Sequence, residues 1–237
     1  MQRKTKIIIL VAVLLLLEIG IFIYLTNTVG TDTPHYTNDD NETIGKNDLG
    51  NVGKHIYGNP NATKAIALIT GIHPREKLAI DPEIKAAREF GNESDDVKII
   101  HYQVDVTKDP EDYEKGRANG ESLVHDFVNP DVTNSDADCV IISHSHVEGY
   151  GEGFYLATPE MDDASVKTAG IINNTTEFKY YPRTGYETYH STSATLVSKP
   201  IAQAGYPTFV YEIPENISDQ DSTEKAKALF KLMVRYT

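Results

Sequence analysis

The stretch AIALITGIHPRE, residues 65–76, decides the fold and carries the first candidate functional residues. Its first six residues form an apolar run that ends at Gly71, a pattern typical of a β-strand buried on both faces. His73 and Glu76 follow three residues apart, so an imidazole and a carboxylate can reach one cation. This pair predicts a metal-binding loop beyond a strand end, but on its own it is equally compatible with a solvated histidine.

Outward from this stretch, apolar segments with strand patterns alternate with segments of helical spacing. Strands are predicted at residues 97–106, 139–143, 153–158 and 208–213. Helices are predicted at residues 82–90, from Asp109-Pro110 toward Gly116, at residues 191–204 and at residues 222–236. This order predicts an α/β domain, with a mixed, mostly parallel sheet and helices on both faces.

Polar residues at the ends of these strands form one candidate site. His144 directly follows the strand at residues 139–143, and Glu212 lies near the end of the strand at residues 208–213. Ligands bind in such sheets at the carboxyl ends of the strands, so we expect these residues to meet His73. His73, Glu76 and His144 together are the ligand set of a catalytic zinc site, since three protein ligands leave a position open for water. His146 points the same way as His144, and spacing does not separate the two.

The N-terminal residues predict a membrane anchor. Three cations, Arg3, Lys4 and Lys6, precede an apolar stretch at residues 7–25 that only Glu18 interrupts. That length suits a transmembrane helix, and the positive-inside rule places the N terminus in the cytoplasm. We therefore expect a single-pass protein of the cell membrane with its body outside. A cleaved signal peptide is the alternative, but its apolar region is shorter and it ends in a small-residue cleavage site.

Composition sets the domain organisation and excludes one class of partner. Residues 26–53 are rich in Thr, Asn, Asp and Gly and predict a polar linker, so the folded domain is expected at residues 54–237. The net charge of −13, without a basic stripe, argues against nucleic-acid binding. The single cysteine, Cys139, lies in an apolar run, so no intrachain disulfide forms and a buried thiol is expected.

Three segments resemble the zinc carboxypeptidase family, sometimes called funnelins, with its aspartoacylase and succinylglutamate desuccinylase branch. GIHPRE at residues 71–76 is similar to the family's Gly-x-His-x-x-Glu zinc motif. IISHS at residues 141–145 resembles the strand that ends in the third zinc histidine, with its characteristic following Ser. TFVYE at residues 208–212 resembles the late strand that delivers the catalytic glutamate. The order and strand context of these segments agree from residue 65 to the C terminus.

The resemblance implies roles for these residues. It implies a zinc ion, Zn²⁺, on His73, Glu76 and His144, and its register favours His144 over His146. It also implies that Glu212 is the catalytic base, which takes a proton from the attacking water and returns one to the leaving amine.

The substrate-binding residues match the family pattern less closely. The family's Asp-Leu-Asn-Arg segment has no clear counterpart, but Arg117 and Asn119 fall in the corresponding interval. We expect Arg117 to polarise the scissile carbonyl or bind a substrate carboxylate, with Asn119 beside it. Arg183 and Tyr186 lie in a Tyr/Gly/Pro-rich segment that is a second candidate substrate-binding rim. A surface arginine on a helix and a tyrosine-rich surface loop remain the alternatives.

Three functions are compatible with these residues. The first is a zinc-dependent, carboxypeptidase-like hydrolase of peptide or amide bonds at the external membrane face, where a cell-wall-derived substrate is expected from topology alone. The second is an aspartoacylase-type deacylase of N-acyl amino acids. The third is a non-catalytic, anchored binding module, whose hallmark would be loss of a zinc ligand or of the general base. Because none of these residues is lost, catalysis is the favoured hypothesis.

Overall fold

The computed structural model describes residues 41–93, 95–182 and 191–237, which form one eight-stranded sheet between two layers of helices. The strands are β1 (Asn41–Asn47), β2 (Gly50–Gly58), β3 (Lys64–Thr70), β4 (Val97–Val106), β5 (Cys139–His146), β6 (Tyr155–Thr158), β7 (Lys179–Pro182) and β8 (Thr208–Pro214). The helices are α1 (Asp81–Asn92), α2 (Tyr113–Leu123), α3 (Asn129–Val132), α4 (Asp163–Thr175), α5 (Lys199–Gln203) and α6 (Asp219–Tyr236). Five-residue π-helical turns, Val124–Val128 and Ala194–Ser198, precede α3 and α5.

The sheet has the order β1-β2-β4-β3-β5-β8-β6-β7. Its four central strands, β4, β3, β5 and β8, run parallel to one another. The β1–β2, β2–β4 and β6–β8 pairs are antiparallel, and β7 runs parallel to β6 at the far edge. This arrangement confirms the predicted mixed, mostly parallel sheet. Most residues of the central strands are buried because both of their faces are covered.

Alternate residues of the central strands feed two separate cores. On one face, Ile66 and Ile141 pack with residues of α1, α4 and α6 such as Leu229. On the other face, Ile69 and Ile142 pack with residues of α2, α3, α5 and the π-helical turns. The predicted helices on both faces are therefore confirmed.

The predicted polar linker is wrong for residues 41–53. These residues form β1 and the first part of β2, which pairs with β4 over nine residues from Gly50↔Val106 to Gly58↔Lys98. Polar residues are tolerated there because β1 is a largely exposed edge strand. The sheet therefore begins earlier than the predicted boundary at Lys54.

Two further predictions need correction. The helix predicted from Asp109 begins at Tyr113, because the side chain of Asp112 caps it by accepting a hydrogen bond from the Lys115 backbone N–H at 2.9 Å. The strand predicted at residues 139–143 continues to His146, so His144 lies within β5 and not beyond it.

The predicted transmembrane segment, residues 7–25, lies outside the described residues. Within the described ranges, no helix combines the length and apolar character needed to cross a bilayer.

Candidate metal centre

The loop after β3 places His73 at the edge of the sheet. Gly71 has a φ of 79°, and a Cβ there would approach the Val104 carbonyl oxygen at 2.1 Å, so only glycine permits this exit from the strand. The chain then turns tightly, and the Glu76 N–H donates to the His73 carbonyl at 3.0 Å. This turn brings the two side chains onto the same side of the loop.

Three of the predicted site residues meet at one point. The carboxylate of Glu76 lies between two imidazoles, with Oε1 at 2.8 Å from His73 Nδ1 and Oε2 at 2.8 Å from His144 Nδ1. The two imidazole rings are 4.4 Å apart between centroids. One ligand atom from each residue lies within 4.8 Å of the others. Both Nδ1 atoms thus face the same carboxylate, and the three residues lie close enough together to bind one cation.

The contacts of His146 show which of the two candidate histidines, His144 or His146, belongs to the metal site. The ring of His146 lies among the rings of Tyr150 and Tyr155. Its Nε2 is 2.9 Å from the Gly153 carbonyl oxygen, and its Nδ1 is 3.2 Å from that of Val147. The structure therefore groups His144, and not His146, with His73 and Glu76.

Glu121 on α2 is a site residue that the sequence analysis missed. Its Oε1 lies 3.2 Å from His73 Nε2, and its side chain is almost fully buried. When Nε2 donates to this carboxylate, the Nδ1 lone pair of His73 is directed at the metal position. The available signal was the four-residue spacing between Arg117 and Glu121, which puts both on one helix face.

Burial and charge act in opposite directions on these groups. Burial raises the pKa of Glu76, but the charges and hydrogen bonds of His144 and His73 outweigh it and hold that pKa far below its usual value. Burial lowers the pKa of His73, but hydrogen bonds to Glu121 and Glu76 reverse the effect and raise it. Burial also raises the pKa of Glu121, and the hydrogen bond with His73 turns the net shift downward. The two carboxylates are therefore anionic at neutral pH and suited to a cation.

Arg117 reaches the same cluster from α2. Its Nη1 donates to Glu76 Oε1 at 2.6 Å, and its guanidinium lies 5.2 Å from the ring centroid of Tyr113. Asn119 is not brought to the site, because its side-chain amide donates to the Lys108 carbonyl at 2.8 Å and it does not line the cleft. The structure thus places one of the two predicted α2 residues at the metal centre.

The other predicted substrate residues, Arg183 and Tyr186, lie outside the described residues.

Glu212 lies beside the cluster on the neighbouring strand. It pairs in register with His144 across β5 and β8, and it is 7% exposed. Both residues, with His73, Glu76 and Arg117, line one cleft of about 480 Å³. The cleft is large enough for a small peptide or an amino-acid derivative.

The donor set suits zinc. Two imidazole nitrogens and one carboxylate oxygen match the ligand types and the number found in catalytic zinc sites, and Glu121 supplies the outer carboxylate that usually orients such a histidine.

Fold comparison places the chain among known structures. No protein-family model and no curated protein sequence matches it. The metallo-carboxypeptidase from Burkholderia cenocepacia matches with a TM-score of 0.55 at 14% identity, over 86% of this chain and 65% of that chain. The metallo-carboxypeptidase from Pseudomonas aeruginosa, in complex with (2-guanidinoethylmercapto)succinic acid, matches with a TM-score of 0.52 at 12% identity, over 82% and 62%.

A tripeptide-bound cell shape determinant protein from Helicobacter pylori matches with a TM-score of 0.51 at 10% identity, over 78% of this chain and 55% of that chain. The chain thus has the metallo-carboxypeptidase fold that the sequence motifs predict, and it spans between about half and two thirds of the length of these structures. At these identities the likeness concerns the fold.

Proposed function

We propose that this protein is a zinc-dependent, carboxypeptidase-like hydrolase of peptide or amide bonds. The observation that carries the proposal is the convergence of His73, Glu76 and His144 on one point, with Glu212 next to His144 in the same cleft. This is the arrangement of a metal-binding triad with a separate carboxylate. It is supported by the fold likeness to metallo-carboxypeptidases.

Each residue has a chemical task in this proposal. A zinc ion held by the triad supplies Lewis acidity, which makes water a competent nucleophile near neutral pH. Glu212 accepts the proton of the attacking water and returns one to the leaving amine. Arg117 offers N–H donors at the rim of the triad, where negative charge develops on the carbonyl oxygen. Glu121 accepts the Nε2 proton of His73, so that Nδ1 would carry the lone pair that binds the metal.

A peptide substrate is favoured over a small N-acyl amino acid. The support is the tripeptide-bound neighbour of similar fold, together with a cleft of about 480 Å³. A deacylase of the aspartoacylase type is the second candidate. Activity on N-acyl amino acids with none on peptides would establish it instead.

We also propose that the protein is anchored in the cell membrane. The cations before residues 7–25 favour a single-pass membrane protein with its catalytic domain outside the cell, where cell-wall peptides are the accessible substrates. Protease added to intact cells should then remove the domain. A fully protected domain would contradict this topology.

A hydrolysis panel tests the function directly. The purified full-length chain is assayed on peptides with free and blocked C termini and on N-acyl amino acids, before and after chelation and again after zinc is restored. We expect turnover of at least one peptide that chelation abolishes and zinc restores. An exposed histidine that does not line the cleft, His125, gives the matched control, because His125→Ala should leave turnover unchanged. Absence of turnover across the whole panel would overturn the proposal.

A further inference from the structure

One face of α2 lies along the loop that carries the metal centre. Tyr113, Arg117 and Glu121 are four residues apart, so their side chains project from the same face of the helix. The Glu121 carboxylate lies 3.2 Å from His73 Nε2. The Arg117 guanidinium donates to Glu76 at 2.6 Å. Tyr113, the first residue of the helix, completes this row and has no role in the proposed reaction.

Two glycines of α2 allow the helix to lie close to this loop. A Cβ at Gly120 would lie 1.8 Å from the Ile72 carbonyl oxygen, and a Cβ at Gly116 would lie 3.1 Å from Pro74 Cγ. Because the helix and the loop approach each other this closely, backbone packing fixes the position of Tyr113 relative to the metal ligands.

The ring of Tyr113 contacts two guanidinium groups at the mouth of the cleft. The Cζ atom of Arg117 lies 5.2 Å from the ring centroid, and that of Arg75 lies 5.9 Å from it. A guanidinium within about 6 Å of a ring centroid is attracted by the negative face of the ring. Tyr113 is 61% exposed, so core packing does not account for a tyrosine at this position. The ring instead joins one arginine of the loop to one arginine of the helix.

We propose that Tyr113 is a positioning residue that holds Arg117 on the carboxylate of Glu76. The Arg117 side chain is 31% exposed, so its ion pair is open to solvent and a second contact restricts the side chain further. The tyrosine ring supplies that contact one helical turn away. Tyr113 acts through Arg117 and does not itself touch the reacting groups. This inference rests on the proposed hydrolase function, because Glu76 is a zinc ligand only in that proposal.

Zinc affinity reports the position of Arg117 without requiring turnover. A positive charge beside Glu76 opposes the binding of a second cation, so Arg117→Met should raise the zinc affinity of the full-length chain. Tyr113→Leu should raise it by about two- to fivefold, the range that an exposed cation–π contact provides, because Arg117 is then held less tightly. Tyr113→Phe keeps the ring and should retain the wild-type affinity. A competition titration with a zinc chelator of known affinity measures each value.

A double variant distinguishes positioning from a general effect on the fold. If Tyr113 acts through Arg117, Tyr113→Leu has no further effect on zinc affinity in the Arg117→Met background. An equal change in the two backgrounds would overturn the inference. Unchanged or lower zinc affinity in Tyr113→Leu alone would overturn it as well.

The matched control is Tyr236→Leu, which removes a ring that lies 5.3 Å from the Arg235 guanidinium and does not line the cleft. This variant should have the zinc affinity of the wild type. A wild-type chain that binds no zinc would overturn the proposed function and this inference with it. A wild type that binds zinc with the same affinity as Tyr113→Leu would overturn this inference alone.

Discussion

Glu212 is the residue on which the proposed chemistry depends most. Glu212→Gln keeps the size and hydrogen bonding of the side chain but cannot accept a proton, so zinc content and fold should survive. Turnover should fall by about a hundredfold or more in kcat, because general acid–base catalysis typically contributes 10²- to 10⁴-fold. Steady-state kinetics with metal analysis on the same samples measures both quantities.

The control for this variant is Glu148→Gln, which changes an exposed carboxylate outside the cleft and should have no effect. Near-normal turnover in Glu212→Gln would move the base elsewhere. Glu215, which lines the cleft and accepts a hydrogen bond from the Ser145 hydroxyl at 2.9 Å, would then be the next candidate. Loss of zinc would make Glu212 a ligand or a structural partner of one.

Glu121 is expected to act on the metal through His73. Glu121→Gln removes the negative charge that His73 Nε2 faces at 3.2 Å, while keeping the shape of the side chain. Replacement of such an outer partner typically lowers metal affinity about 10- to 100-fold. A competition titration with a zinc chelator of known affinity should show this loss with unchanged circular dichroism. Wild-type affinity in the variant would contradict the role assigned to Glu121.

At the scale of elements, α2 is held against the loop of the metal centre by a glycine. A Cβ at Gly120 would lie 1.8 Å from the Ile72 carbonyl oxygen, whereas a Cβ at Gly170 of α4 meets nothing within 4 Å. Gly120→Ala should therefore displace the helix that carries Arg117 and Glu121 and destabilise the fold, by about 1–3 kcal/mol for overpacking. Gly170→Ala should be neutral or stabilising by up to about 1 kcal/mol, since alanine favours helix.

Urea unfolding of the two glycine variants measures this difference, and equal stabilities would contradict the close approach of α2. The pair is informative because both substitutions have the same chemistry and both glycines lie in helices.

The elements that the sequence predicts best are those with one dominant signal. β3, β5 and β8 each contain a short continuous apolar run, and β4 is rich in Val and Ile, so these strands are identified by their apolar residues. β1 lacks such a run, because as an exposed edge strand it buries little and is held mainly by pairing with β2. Local sequence does not encode which partner strand is available, so its polar composition is typical of a linker as well.

The site residues that the sequence predicts are those that lie close together in the chain or at the ends of predicted strands. His73 and Glu76 are close in sequence, and the strand ends bring His144 and Glu212 to them, so this part of the site is predictable. Glu121 comes from a helix whose rotation and packing against the sheet are set by tertiary contacts. Its role therefore becomes visible only in the folded structure.

At the scale of the whole molecule, one buried acid should shape the dependence of stability on pH. Glu83 of α1 is fully buried, and burial raises its pKa to about 8, against a smaller opposing hydrogen bond from Ser143. Since the folded state holds this proton more tightly than the unfolded chain, its contribution to stability is complete below the unfolded pKa. That contribution is lost as the pH rises toward and through about 8.

Glu83→Gln removes the titration, so the decline in unfolding free energy between pH 5 and pH 8 should be smaller than in the wild type, by a difference on the order of 3 kcal/mol. Urea unfolding at several pH values gives this slope for both proteins. An identical slope in the two proteins would contradict the burial of Glu83 in its neutral form.

Metal analysis of two histidine variants tests whether the folded chain holds one zinc ion on His73, Glu76 and His144. His144 and His146 lie two residues apart on the same strand, but the His144 ring faces the Glu76 carboxylate whereas the His146 ring faces the Gly153 carbonyl. We expect one zinc per chain in the wild type and in His146→Ala, and a loss of zinc in His144→Ala. Stoichiometric zinc in His144→Ala together with its loss in His146→Ala would instead make His146 the third ligand.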